Sequence, residues 1–452
     1  MVSTTLCHNA SGLNRLSIVI LYVFAMFITS DDSSLRILSM TQYNLVAFVM
    51  IGLSLSSMLY SGKLTISLSR QLKYLYVLFI WIVISLILSK VIETKAVLGE
   101  VYNYDWVSGV NSPSLRGISF IIRYSLSLCV IQFIINSVDS KAKYSTVMKY
   151  FLYAFGIFAL FPVLQILLLL VANVEIGKVF YDGTTNRARI GSYVGEPSVL
   201  AGMLCCGVFP LISAIKIQNN ILHLNKIMSV AVLGLALIGL FFTSSASIIA
   251  AMILSFILSV RKFIGMKTWL FFLVVLIGLA LTSSSFQDVI LFKIFNELST
   301  VNIRSLSWIV GYNSIVANPL SGVGIGQAPF YVAPYLPWLS DIPFDINTDF
   351  NFSEGRYTPM NTYLEFTTET GVIGIFLLFL FVRDIYNYQN KKNNNNEVRY
   401  IQFAFGTGLL AIAFAMNSFP GGFYLGYVNF MIGMYIAGLK IYSAPIQSGV
   451  VL

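Results

Sequence analysis

Apolar residues in this chain run in long, nearly uninterrupted blocks, without the alternation of a half-buried strand or the one-faced stripe of a surface helix. The stretch Tyr74–Leu88 and the stretch Phe151–Ala172 show the pattern, each broken only by an isolated Ser, Gly, Pro or Gln. Blocks of this kind are read as membrane-spanning helices, because a bilayer core needs about 20 apolar residues at the helical rise of ~1.5 Å. The blocks predict spans near 16–30, 44–60, 73–89, 118–135, 150–172 and 197–215, then 227–242, 246–260, 269–283, 364–382, 400–416 and 425–442. The pair 227–242 and 246–260 is separated only by Thr243-Ser244-Ser245 and is too long for one helix, so it reads as two spans with a tight turn. The expectation is an all-α polytopic membrane protein of about twelve transmembrane helices, forming a single integral membrane domain over residues 1–452.

Charge orients the helices. Most of the 28 basic residues fall in alternate connections that hold Lys63, Arg70, Lys141, Lys143, Lys226, Arg261, Lys262, Lys391 and Lys392, whereas the other connections carry most of the 19 acids. By the positive-inside rule these basic connections are cytoplasmic, and both termini are expected there too. The pI of 9.2 then reports topology and gives no reason to expect nucleic-acid binding. The first apolar block follows Arg15, lacks a small-residue exit and leads into Ser30-Asp31-Asp32, so it reads as an anchor that stays in the membrane.

Composition supports the same class, since 57% apolar and 10% charged residues lie far from the soluble range. Cys129, Cys205 and Cys206 lie inside apolar blocks and no C-x-x-C pair occurs, which argues against a disulfide framework or a zinc site. Both histidines, His8 and His223, fall on the cytoplasmic side of this topology.

The outward connections carry the candidate chemistry. Two are long, 90–117 and the large loop 284–363 between spans nine and ten, and a third, 173–196, is short and charged. In the last, Arg187 and Arg189 precede Glu196-Pro197-Ser198, where Pro197 suits the first turn of a helix and Glu196 its positive end. In the large loop, Arg304, Trp308 and Gly311 fall on one face of a short helix, followed by Asn318-Pro319-Leu320-Ser321-Gly322-Val323-Gly324-Ile325-Gly326. That Gly-rich run lacks the Lys-Ser/Thr ending of a P-loop and reads as a turn that needs positive φ. A third segment holds Arg356, Met360, Asn361, Tyr363, Glu365 and Glu369; Asn361, Glu365 and Glu369, four apart, share a face where the tenth span begins. Asp341, Asp345 and Asp349 read as solvated loop acids, so no metal is expected. Arg123, just inside the outer end of the fourth span, either lines a groove for a lipid phosphate or snorkels to the surface.

In their order and shared outward face, Arg189-x-x-Ser192-x-x-x-Glu196-Pro197-Ser198, then Arg304-Ser305-Leu306-Ser307-Trp308 with the Gly-rich run, then Asn361-Thr362-Tyr363-Leu364-Glu365 with Glu369-Thr370-Gly371 resemble the O-antigen polymerase and ligase superfamily, polymerases of the Wzy type above all. The similarity covers roughly residues 185 to 380 together with the hydropathy profile. It implies a multi-pass protein of the bacterial inner membrane whose active site faces the periplasm. It further implies a glycosyltransferase of lipopolysaccharide biosynthesis that joins undecaprenyl-pyrophosphate-linked oligosaccharides without a cofactor. A polysaccharide chain-length regulator and a flippase are the protein partners it suggests.

Within that resemblance Arg189 and Arg304 are the first candidates for pyrophosphate contact, with Arg187 and Arg356 next, because guanidinium groups grip phosphate oxygens in pairs. Glu196 is the candidate base and Glu365 the alternative. Asn361, Tyr363, Trp308 and Arg123 complete the expected substrate contacts. Ligases of the superfamily carry a periplasmic His where this chain has Met360, which favours a polymerase. A lipid-linked oligosaccharide flippase, or another transporter, is the rival class. It would place charges and broken helices near the bilayer midplane, and no carboxylate is expected at depth in this chain.

Overall fold

The computed structural model describes residues 15–27, 44–52, 69–91, 113–181, 188–192, 197–216, 225–243, 245–260, 308–309, 311–328, 361–391, 396–416 and 425–443. The described chain is mostly helical. Its elements are α1 (Arg15–Phe27), α2 (44–52), α3 (Lys73–Val91), α4 (Pro113–Ser137) and α5 (Lys141–Ala172), then the hairpin β1 (Lys178–Tyr181) and β2 (Ala188–Ser192). They continue with α6 (Pro197–Lys216), α7 (Lys226–Thr243), α8 (Ala246–Val260), α9 (311–317), α10 (Thr362–Lys391), α11 (Asn396–Ile401), a π-helical turn Gln402–Gly406, α12 (Thr407–Ala415) and α13 (Gly426–Tyr442). Seven of the described helices are long and apolar enough to cross a membrane. The expected span 269–283 lies outside the described residues.

Helix ends obey local chemistry. Ser140 caps α5 by accepting from the Lys143 N–H, and the same helix closes on Asn173 at φ 51°, one of the few residue types that tolerates this conformation. At 32 residues α5 is about 48 Å long, so it begins nine residues before the expected span and carries Lys141, Lys143 and Lys149 beyond the apolar core. Thr243 and Ser245 separate α7 from α8, as the sequence suggested; the Thr243 hydroxyl donates to Leu240 O and accepts from the Ser245 N–H.

Three expectations need correction. The connection 173–196 is not wholly irregular: Lys178–Tyr181 pairs antiparallel with Ala188–Ser192, so the fold is helical with one hairpin. The fourth span begins at Pro113, five residues early, and thereby takes Arg116 out of the outer loop and into a helix. Glu365 and Glu369, expected where the tenth span begins, are not at a hydrated surface: both are buried within the protein.

Two packing centres organise the bundle. The larger surrounds α6, whose apolar window is 78% buried against a third for α7, which makes α6 the central helix. Phe27, Phe151, Phe155, Phe158 and Phe430 interlock in it, with neighbouring ring centroids 5.1–6.2 Å apart. The smaller joins Leu78, Ile82 and Leu86 of α3 with Phe120 of α4, Ile325 of the Gly-rich run and Phe366 of α10. This second centre positions the candidate site.

Candidate functional site

α10 is broken. Gly371 has φ 67° and ψ −174°, which no helix accommodates, and the break interrupts the hydrogen bonds that the carbonyls just before it would make. Inside a bilayer each such carbonyl needs a protein donor. The Gly-rich run supplies two: Val323 N–H donates to Thr368 O and Gly324 N–H to Glu369 O, both at 2.9 Å. α3 supplies the rest, with the Trp81 indole donating to Thr370 O at 2.8 Å and the Ser85 hydroxyl at 2.7 Å from Ser321 O and 2.9 Å from Glu369 O. In return Val372 N–H donates to Pro319 O. The run therefore folds back from the large loop into the bundle and mends the helix it lies against.

Glycine is required for that fit. Gly322, Gly324 and Gly326 all have positive φ, as the sequence suggested, and a Cβ on Gly322 or Gly371 would collide with the opposing backbone. On its other side the run presses on α4, where a Cβ on Gly117 would sit 3.0 Å from Ile325 O and one on Gly326 would sit 3.2 Å from Arg116 O.

Three charged side chains, Glu369, Glu365 and Arg116, meet around this seam. Glu369, only 2% exposed, accepts from the backbone N–H groups of Ala328, at a long 3.4 Å, and of Gly326. Arg116 and Glu365 lie close enough to act on it electrostatically. Arg116 is 2% exposed, and its guanidinium stands 5.4 Å from the Phe120 ring centroid, while Arg123 faces the same ring at 5.3 Å. Gln327 and Ser89 add neutral groups, 3.3 Å apart. This arrangement can hold a polar or anionic group in a water-poor setting, with donors from guanidinium and backbone and an acceptor from carboxylate.

The expected residues divide into three groups. Asn361 and Glu365 are at the seam. Asn361 caps α10, its side-chain oxygen accepting from Tyr363 N–H at 3.0 Å and Leu364 N–H at 3.1 Å, and Glu365 follows one turn on, 6% exposed. Tyr363 donates its hydroxyl to Ala413 O at 2.7 Å and so ties α10 to α12. Arg189 stands in β2 in register with Phe180, on a hairpin packed against α5, α6 and α7, and its side chain lies outside the described residues. Trp308 does not share an environment with Gly311: it is 47% exposed, whereas Gly311 is buried beneath Leu364 and its carbonyl accepts from the Thr368 hydroxyl. Arg187, Glu196, Arg304, Arg356, Met360 and the three loop aspartates lie outside the described residues. Arg116, Glu369's backbone cradle, Trp81 and Ser85 were not singled out from the sequence.

A membrane-embedded helical bundle with a broken helix mended by a Gly-rich run is thus the class these residues define. The family model described as O-antigen ligase matches residues 231–379, from α7 through the Gly-rich run and past the break in α10, consistent with the resemblance to the O-antigen polymerase and ligase superfamily. No curated protein matches the chain.

Proposed function

We propose that this protein is an O-antigen polymerase, a periplasm-facing glycosyltransferase of the bacterial inner membrane that joins undecaprenyl-pyrophosphate-linked repeat units into a long chain. The observation that carries the reading is the seam itself. It brings the Gly-rich run and the Glu365–Glu369 segment into one polar, charged setting, and both of these segments fall inside the region matched by the family.

In the proposed reaction a sugar hydroxyl of one lipid-linked unit attacks the anomeric carbon of the chain on another. The new C–O bond forms as the bond to the pyrophosphate breaks, and the hydroxyl proton passes to a carboxylate, Glu196 or alternatively Glu365. Arg189 and Arg304, supported by Arg187 and Arg356, neutralise the departing undecaprenyl pyrophosphate. Met360 in the position of the ligase histidine favours the polymerase over the ligase. The transporter reading loses its main support, although α10 is broken and buries carboxylates. Transporters use carbonyls freed at such breaks to hold ions, whereas those of Thr368, Glu369 and Thr370 are all occupied by protein donors.

The test is a gel of lipopolysaccharide from a deletion strain. Core carrying a single repeat is expected. A bare core with long polymer left on its lipid carrier would indicate a ligase, and lipid-linked single units trapped on the cytoplasmic leaflet would indicate a flippase. Arg189→Lys is expected to fail nearly as badly as Arg189→Ala, because lysine keeps the charge but not the planar fork. Glu196→Gln should give the single-repeat pattern at normal protein level, and a normal ladder from it would transfer the base role to Glu365.

A further inference from the structure

Between the two packing centres runs a cavity of about 720 Å³, with α3, α4 and α10 on one side and α8, the π turn, α12 and α13 on the other. Leu78, Ile131, Phe381 and Ile412 are typical of its walls, and its volume falls in the range that holds a drug-sized or lipid-sized ligand. One end is polar. There Gln402, 8% exposed, lines the cavity with a buried amide nitrogen that has no hydrogen-bond partner. A buried donor left in that state is costly, so the group points to something that fills the space and accepts from it. Gln402 opens the π turn, where Thr407 N–H reaches back five residues to Gln402 O; such insertions mark functional positions in helices. Beside it the Tyr435 hydroxyl donates to Gln389 Oε1 at 2.8 Å, and Arg399 stands at the rim.

Charge at this end of the bundle selects the occupant. Among the described residues its acids are each held by a lysine: Asp384 by Lys73, Glu397 by Lys141 and Asp139 by Lys143. Arg383 beside Asp384, Arg399 two residues from Glu397 and Lys440 in the last turn of α13 add positive charge at these helix ends. We propose that this cavity binds an anionic glycerophospholipid, with one acyl chain between the packing centres, an ester or phosphate oxygen accepting from Gln402, and the phosphate facing Arg399. A bare isoprenoid tail would fit the walls but offers Gln402 no acceptor. Asn429, whose Oδ1 also lines the cavity without a partner, needs a donor and is suited to a water. The site stands whether or not the chain polymerises sugars, since Gln402 and Arg399 have no part in that reaction and Tyr363 is the one expected substrate contact in its lining.

Native mass spectrometry of the full chain in detergent, with dioleoyl phosphatidylglycerol or dioleoyl phosphatidylethanolamine added, tests the proposal. Phosphatidylglycerol should bind about tenfold more tightly, and Gln402→Leu should weaken it by about tenfold, the effect of one charge-assisted hydrogen bond. Arg399→Gln should narrow the difference between the two lipids. Phosphatidylglycerol with a photoreactive acyl chain, applied to the unaltered protein, should label 403–416 and 428–435, a readout that survives if the Gln402 variant does not fold. Equal binding of both lipids, unchanged binding by a folded Gln402→Leu, or one-for-one displacement by undecaprenyl phosphate would overturn it.

Discussion

Gly371 and Gly322 face each other across the seam, and both have positive φ, which an alanine adopts at a cost of about 1–3 kcal/mol before any collision is counted. Gly371→Ala and Gly322→Ala should therefore each lower the thermal unfolding midpoint in detergent, while Gly52→Ala, whose Cβ position is open, should not. Glu369 answers a different question. If it and Arg116 act on one another across α10 and α4, then Glu369→Gln and Arg116→Gln should not be additive: a double-mutant cycle on unfolding should return a coupling of about 0.5–3 kcal/mol. Additive losses would mean that Arg116 serves Phe120 and the Gly-rich run alone.

At the scale of elements, α10 depends on its start as well as its break. Asn361→Ala removes the cap and should cost about 1 kcal/mol of stability, whereas Asn361→Asp should be tolerated because a carboxylate also accepts at a helix N-terminus. How far such elements could be read in advance depended on how local their cause is. Apolar blocks marked α3, α6, α7, α8 and α13 to within a few residues, because bilayer spanning is a property of the block itself, whereas α4 and α5 begin five and nine residues earlier than their blocks and α10 runs nine residues further. Positive φ in the Gly-rich run and the shared face of Asn361, Glu365 and Glu369 were legible for the same reason. Arg116 was missed although a local signal existed: Pro113 occupies the first turn of α4 just as Pro197 does in α6, and would have moved the helix start past Arg116. The hairpin was hidden by its short strands. The donors Trp81 and Ser85 were beyond reach, because their partners are 289 and 236–284 positions away and nothing in α3 announces them.

Across the whole molecule, the large helical body around α6 and the α3–α4–α10 seam are joined through α4, which packs along α13, and through Ile131, Ile135, Phe381 and Ile436, with the apolar cavity between them. The topology read from charge can be checked directly. In a background with the native cysteines replaced, cysteines at 185, 300 and 350 should react with a membrane-impermeant thiol reagent in intact cells with a permeable outer membrane, and cysteines at 220 and 393 should not. Labelling at 393 would put the proposed active site on the wrong face. The seam also sets a timetable for synthesis. Ser85 and the carbonyl it serves are 284 positions apart, so at about 5–20 residues per second roughly 15–60 s of translation separate α3 from its partner. Through that interval α3 and α4 reside in the bilayer with Ser85 and the guanidinium of Arg116 waiting for α10, and a factor that shelters half-assembled polar helices would find its client there.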